Sequence, residues 1–474
     1  MGSQELLLYN IDDAVIVPPT PANWENRYFA GYVKSELSRK VAPSPELFSD
    51  ALLMIGTSFL PHFPPLADES INARKHFTIV DAVNQLRTSE KSVANACAAF
   101  SDILARTDPN WLDKYRKAKM VIKHAVTVQL DGTISIRDYD SLTGDNFEYL
   151  GLQLPPELYH YFSQSILGPR IMNEFGTLES FVFPTLDGDL SPEYRKLVTE
   201  HLPPLRETAA ALISSRIHRG FQFKDIAVRY WFDESLQQKL VHRNATAQTN
   251  PRADTWGVRA ASIEPRESAT SLSSGKLSFA VLSLQDQEFA TKSISKEKIT
   301  NLTSQEELLS NVLWRLLHLR GYVNDQHELT NWGKALATTL GELTPIIKQY
   351  DDVHHIEEAA FLAFELIRFD LLHNRNSNYA LMGGALRRSD SEKESCILIG
   401  RTASLLKLRH KEIGYTGPLS KNLLAFHSLI KAVRETDRDL VEAITTSMFL
   451  NGQVNRDRKD FAEIGRKYVY ILLS

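Results

Sequence analysis

The stretch Ser44-Pro-Glu-Leu-Phe-Ser-Asp-Ala-Leu-Leu-Met-Ile-Gly56 constrains the fold most. Ser44 offers a hydroxyl cap, Pro45 takes the first helical position, and Glu46 places a carboxylate near the positive helix end. Leu47, Phe48, Ala51, Leu52, Leu53, Met54 and Ile55 leave almost no polar face. A helix that is apolar nearly all round is a buried one, so a core must surround it. Gly56 ends the helix, and a turn rich in proline follows from Pro61 to Pro65.

A chain of 474 residues has room for several domains and ample core. Its net charge of −4 does not suit general nucleic-acid binding, so any such contact needs a local patch. Cys97 and Cys396 stand alone and support neither a disulfide framework nor a zinc site. The N-terminus lacks a basic-then-apolar signal pattern. The most apolar helical stretch, 356–372, carries Glu365, Arg368 and Asp370, which marks a buried helix rather than a membrane span. A reducing cytoplasmic compartment is the expectation.

Residues 5–9 and 14–17 read as short strands. Helices are expected over 77–86, 93–104 and 111–123, the last with a basic side. Asp131-Gly132 between Val126–Leu130 and Thr133–Ile136 predicts a hairpin. Pro155-Pro156 and Ser191-Pro192-Glu193 open helices. Residues 244–276 are rich in small and polar types without helical periodicity and read as a linker. Leu277–Leu284 and Phe289–Ile294 read as strands. A Thr303/Glu306 capping box opens a helix whose apolar face ends at Gly321. The order helix, Tyr322-Val323, polar turn, Thr330-capped helix is that of a winged-helix module. Further helices are expected near 354–373, 402–411, 419–434, 437–451 and 457–472. The fold class is α+β, predominantly α.

Met54-Ile55-Gly56-Thr57-Ser58-Phe59 resembles the XPG-like flap endonucleases, where a buried helix runs into Leu-Leu-Gly-Ser-Asp-Tyr. In that family the Asp is a metal ligand, and Ser58 stands in its place. A hydroxyl is a poor Mg²⁺ ligand. By the same resemblance the chain begins downstream of the other metal-binding carboxylates, which implies an N-terminal truncation. The turn 61–68 also lacks the family's Gly-x-Gly. No two-metal site can then be assembled, and no catalytic residue, cofactor or metal is assigned; Mg²⁺ would belong only to a longer, active form. Capping of a core helix by Thr57 and Ser58 is the plainer reading.

Leu154-Pro-Pro-Glu-Leu-Tyr159, Gly168-Pro169, Pro184-Thr-Leu-Asp-Gly188, Tyr194-Arg-Lys-Leu197, Pro204-Leu-Arg206 and Trp231-Phe232 resemble the fungal killer-toxin-maintenance proteins. Gly417–Phe426 and Asp439–Gly452 extend the resemblance. It implies a degenerate nuclease-like (PIN-like) region over 1–140, an N-type domain over 145–243, a linker over 244–276 and a C-type helical domain over 277–474. It further implies a non-catalytic scaffold in post-transcriptional control of mRNA stability or translation. The implied partner is an ataxin-2-like protein associated with the poly(A)-binding protein. The alternative is a Mg²⁺-dependent structure-specific nuclease completed by an upstream half.

Two basic groups could contact RNA or a partner. Arg216, Arg219 and Lys224 lie among Phe221 and Phe223, a mixture suited to phosphate contact and base stacking. Residues 387–421 hold eight Lys/Arg, including Arg387, Arg388, Arg401, Lys407 and Arg409, against four acids. Core phenylalanines with a basic rim are the plainer reading of the first group, and a solvated loop-helix surface that of the second. No Gly-x-Ser-x-Gly, phosphate-binding Gly-rich lysine loop or His-Glu-x-x-His occurs, and no small-molecule substrate or membrane contact is indicated.

Overall fold

The computed structural model describes residues 4–9, 14–17, 30–68, 76–129, 134–141, 154–185, 188, 190–295, 301–349, 354–373, 402, 421–461 and 464. The chain divides into two compact units, Met1–Gln153 and Leu154–Ser474. Both are mostly helical with small sheets.

In the first unit, β1 (Ala14–Val17) pairs antiparallel with β2 (Ala30–Val33). Then come α1 (Lys34–Val41), α2 (Pro45–Met54), α3 (Pro64–Ala67), α4 (Ile79–Thr88), α5 (Val93–Ala99), α6 (Ser101–Thr107) and α7 (Trp111–Lys123). The expected hairpin forms from β3 (Val126–Val128) and β4 (Ile134–Ile136). Helix α2 starts as its sequence dictates: Ser44 Oγ accepts from the Leu47 N–H at 3.2 Å. Gly56 follows with φ +98°, a conformation that strains any residue with a side chain. Phe48, Met54, Phe63, Leu86 and Trp111 fill one core, with the Phe63 and Trp111 rings 4.8 Å apart. Trp111 Nε1 donates to the Pro61 carbonyl at 2.9 Å and ties the proline-rich turn down. Residues 5–9 are not a strand. Gln4–Leu8 form a 3₁₀ turn that buries Leu7 and Leu8 at adjacent positions, which a strand's alternation would split.

The second unit begins with α8 (Pro156–Ser163), α9 (Pro169–Thr177) and β5 (Glu179–Val182). Next are α10 (Pro192–Lys196), a π-helical segment Leu197–His201, α11 (Pro203–Ser214) and α12 (Arg219–Gln222). Strands β6 (Ile226–Tyr230) and β7 (Asp233–Leu240) complete a sheet of order β5-β6-β7, parallel then antiparallel. The remainder is α13 (His242–Asp254), α14 (Ala260–Thr270), α15 (Leu277–Ser283), α16 (Gln287–Lys292), α17 (Gln305–Leu319), α18 (Asn331–Gln349), α19 (His354–Arg368) and α20 (Lys421–Leu450).

Helix α20 is the hub, packed on α8, α11, α17 and α19. Leu440, Val441, Ala443, Ile444 and Met448 are buried along it. Each such side chain contributes about 1.5–3 kcal/mol on leaving water, apart from the smaller alanine. A second focus lies at Trp256 and Trp314, stacked 5.8 Å apart, with His327 stacked on Trp256 at 3.5 Å. Burial first, then the neighbouring His318, pushes His327 down to about 3, so it is a neutral packing ring.

Several expectations are corrected here. Residues 244–276 carry α13 and α14, with Trp256 fully buried between them, rather than a linker. The stretches 277–284 and 289–294 are helical; Ser278, Phe279 and Ser283 are buried along with Leu277, Ala280 and Val281, so α15 is enclosed nearly all round and its burial carries no one-sided pattern. The capping box of α17 is Ser304 with Glu307, one residue later than expected. The two helices expected over 419–434 and 437–451 are, within the described residues, the single helix α20 (Lys421–Leu450). Thr436 and Asp437 lie buried inside it instead of making an exposed turn. The helix expected over 402–411, and most of 457–472, lie outside the described residues.

Gly333, in the first turn of α18, lies against the Tyr322 carbonyl, which already accepts from the Thr330 N–H at 3.0 Å. An added Cβ would enter that oxygen's contact radius and sit 3.1 Å from Leu329 Cδ2. Alanine is the better helix former by about 1 kcal/mol, yet overpacking against backbone costs about 1–3 kcal/mol. Gly333→Ala should therefore lower the denaturation midpoint; a raised midpoint would refute this close approach.

Candidate interaction sites

Ser58 sits two residues beyond Gly56 and is exposed. Its Oγ donates to Glu5 Oε2 at 2.8 Å, and its N–H donates to the other carboxylate oxygen. Thr57 Oγ1 accepts from the Leu60 N–H at 2.9 Å. The turn after α2 thus clamps the Gln4–Leu8 segment by one serine and one carboxylate. An aspartate at 58 would face Glu5 with like charge and leave the hydroxyl donor out. Ser58→Asp should cost about 0.5–1 kcal/mol, the size of an exposed pair, read by denaturant unfolding. It should yield no Mg²⁺-dependent cleavage of flap or single-stranded RNA substrates.

One polar group on α2 escaped the sequence reading. Asp50 is buried, accepts from Tyr115 Oη at 2.7 Å and pairs with Lys119 Nζ at 2.8 Å. Burial, reinforced by Asp50, raises the Tyr115 phenol far above its usual range, so it stays a donor. The signal was an acid in the middle of an apolar helix with a basic, aromatic helix downstream.

The structure divides the 216–224 group. Arg216 is committed to an ion pair with Asp254. Phe221 is buried against Phe175, rings 6.5 Å apart. His218 Nδ1 accepts from the Gly220 N–H at 3.1 Å. Phe223 is 59% exposed, with the Arg219 guanidinium 5.6 Å from its ring centre, and Lys224 beside it is exposed. So Arg219, Phe223 and Lys224 remain as a small basic, aromatic surface. Arg387, Arg388, Arg401, Lys407 and Arg409 lie outside the described residues.

A further site appears between β5 and α20. Ser428, Lys431, Glu435 and Arg438 recur at helical spacing along one face of α20, and Arg170 and Asn173 of α9 stand at the same cavity, of about 430 Å³. Arg170 pairs with Glu435 at 2.9 Å and Asp439 at 3.3 Å. Glu442 accepts from the Gly168 N–H at 2.7 Å and pairs with Arg438 at 2.7 Å. Glu174 accepts from Ser180 Oγ at 2.6 Å. Burial pushes Asp439 up to about 8, against the pull of Arg170 and with the push of Glu174 and Glu442. On the opposite side Phe181 and Phe183 are exposed, their rings 6.2 Å apart and nearly stacked. Sequence reasoning passed over them; the Phe-Val-Phe alternation was the available signal.

Among the described residues no group of three or more His, Cys, Asp or Glu could hold a metal ion. None of the described helices is long and apolar enough to cross a membrane.

These features define a helical protein whose distinctive chemistry is paired charge and exposed edges. Two family models match it, MKT1_N over residues 143–232 and MKT1_C over 315–471, each described as a temperature dependent protein affecting M2 dsRNA replication. Together they span just over half of the sequence, and the chain belongs to the MKT1 family. The resemblance to the killer-toxin-maintenance proteins therefore holds. Similar curated proteins are each named post-transcriptional regulator MKT1. The one from Cryptococcus neoformans var. grubii is 24% identical over 98% of this chain and 60% of its own length. That from Saccharomyces cerevisiae is 25% identical over 73% of this chain and 42% of its own length. That from Trypanosoma brucei brucei is 26% identical over 68% and 40%, respectively. The chain thus spans 60% or less of these relatives. No solved structure matches significantly.

Proposed function

We propose that this chain is a non-catalytic post-transcriptional regulator, acting in the cytoplasm as a scaffold on mRNA stability or translation. The observation that carries the reading is similarity over 98% of the chain to a protein named as such a regulator. The clamp at Ser58 supports it. The position that resembles a nuclease ligand donates its hydroxyl to Glu5, a fold-holding use of a side chain unsuited to Mg²⁺. On this reading the first unit is a nuclease-like frame put to structural use. The α17–α18 pair, with its Val323↔Leu329 bridge, serves as a winged-helix-like protein contact. The docked partner is an ataxin-2-like protein, as the family resemblance implies. Arg219, Phe223 and Lys224 favour a supplementary contact with single-stranded RNA through one stacked base and adjacent phosphates.

The test is tethering of the chain to a reporter mRNA in a fungal cell. A changed mRNA half-life or protein yield is expected. An unchanged reporter, together with Mg²⁺-dependent cleavage by the purified chain, would replace this reading with the nuclease one. Charge reversal at Arg219 and Lys224 should weaken RNA binding and flatten its salt dependence. Unaltered affinity removes the RNA contact but leaves the scaffold.

A further inference from the structure

Among the described residues β5 pairs on one side only, with β6. The Leu178 carbonyl accepts from Ala227 N–H at 2.8 Å and the Val182 carbonyl from Trp231 N–H at 3.2 Å. In a parallel ladder the N–H and C=O of one residue point the same way, so Ser180 and Val182 face β6. Glu179 and Phe181 face outward, and Phe183 follows one residue past the end of the strand. Thr177 Oγ1 accepts from the Glu179 N–H at 3.2 Å and gives its own proton to the Asn173 carbonyl at 2.7 Å. Among the described residues the backbone groups of Phe181 and Phe183 have no partner. Phe181 and Phe183 line a cavity of about 430 Å³ together with Ser428, Lys431, Glu435 and Arg438 of α20. A strand edge facing a helix across a groove leaves room for one extended chain.

We propose that this groove receives an extended peptide of another protein as a fourth strand beside β5. Donors and acceptors from two outward residues, in alternation along an edge, are matched by peptide backbone and not by a helix face or a small ligand. The edge lacks the usual protection: its outward positions carry two exposed phenylalanines instead of lysines. Alternate peptide side chains lie beside Phe181 and Phe183, which selects apolar or aromatic types there. The intervening side chains face Lys431 and Glu435, 55% and 41% exposed, which selects polar or charged types. The partner segment is therefore short, extended and alternating in polarity. This goes beyond the regulatory reading and does not depend on it.

The probe is a displayed library of short random peptides selected on the full chain, with winners synthesised and measured by fluorescence anisotropy. N-methylation at alternate peptide amides should weaken binding at least about tenfold, while methylation at the intervening amides should not. Phe181→Pro removes an outward donor and leaves the β6 ladder whole, so it should abolish binding with an unchanged denaturation midpoint. Should that variant prove unstable, Phe181→Thr keeps the backbone edge and should weaken binding severalfold through loss of the ring. Enriched peptides that tolerate N-methylation everywhere, or no enriched peptide at all, would overturn the proposal. So would amides of Phe181 and Phe183 that exchange as slowly as those of Ser180 and Val182 in the peptide-free chain. Slow exchange there would mean that this chain, or a second copy, already covers the edge.

Discussion

Replacing Glu365 by alanine should lower the stability of the second unit by about 3–5 kcal/mol, measured by denaturant unfolding followed through tryptophan fluorescence. Glu365 is fully buried in α19 and accepts from Tyr322 Oη at 2.7 Å. Arg320 pairs with it directly, and Arg368 Nη1 lies 3.3 Å away. Without Glu365, the counter-ion left to the buried Arg320 among the described residues is Asp437, at 3.6 Å. Burial already pushes Asp437 up to about 6, so it is a reluctant counter-ion. The cost is that of leaving a desolvated guanidinium unpaired, more than that of losing one attraction. Glu365→Gln retains an acceptor and should lose less. Exchanging both partners, Arg320→Met with Glu365→Leu, should recover most of the loss, since a packed apolar pair needs no counter-charge. A loss below about 1 kcal/mol in Glu365→Ala would show that water reaches this seam.

That seam also explains what the sequence could and could not reveal. The start of α2 was legible because Ser44, Pro45 and Glu46 act on backbone within one turn of themselves. Helix α20 was not legible as one element. Thr436, Asp437 and Asp439 look like an exposed polar turn; Arg320 and Arg170, distant in sequence, pair with the two buried acids. Leu277–Ser283 failed for a different reason. A continuous apolar run satisfies strand and helix alike, and the choice falls to tertiary contacts such as Trp314 Nε1 donating to the Ala280 carbonyl at 2.9 Å. Pro251 and Pro265 sit inside α13 and α14, where local propensity argues for a break. At the candidate sites, residue type could not separate Phe221 from Phe223 or Arg216 from Arg219. Asp254 and Phe175 take one of each pair into the structure. The family resemblance was legible because ordered motifs such as Leu154–Tyr159 survive where pairwise chemistry is hidden.

Raising the pH above neutrality should destabilise the second unit. Burial is the main cause that pushes Glu358 up to about 8, opposed by Arg434 at 2.7 Å. Burial likewise holds Asp439 at about 8, among Arg170, Glu174, Glu442 and Arg206. Both carboxyls hold protons in the folded chain at a pH where the unfolded chain has lost them. Stability from a raised pKa is whole below the unfolded value near 4 and is lost as pH climbs through the folded value. Histidines act in the opposite sense. Burial lowers His242, His318 and His327, so their unfolded forms bind protons below about pH 6.5 and stability falls on acidification. The two trends oppose each other below pH 6.5, whereas only the carboxyls act above it. Stability should fall by about 2–4 kcal/mol between pH 6.5 and 8.5, at about 1.4 kcal/mol per unit for each carboxyl in its window. Asp439→Asn cannot ionise and should flatten that alkaline limb by roughly half, while leaving the acid limb to the histidines. Stability that is level or rising from pH 6.5 to 8.5 would show that Arg170 and Arg434 hold both carboxylates ionised in the folded chain.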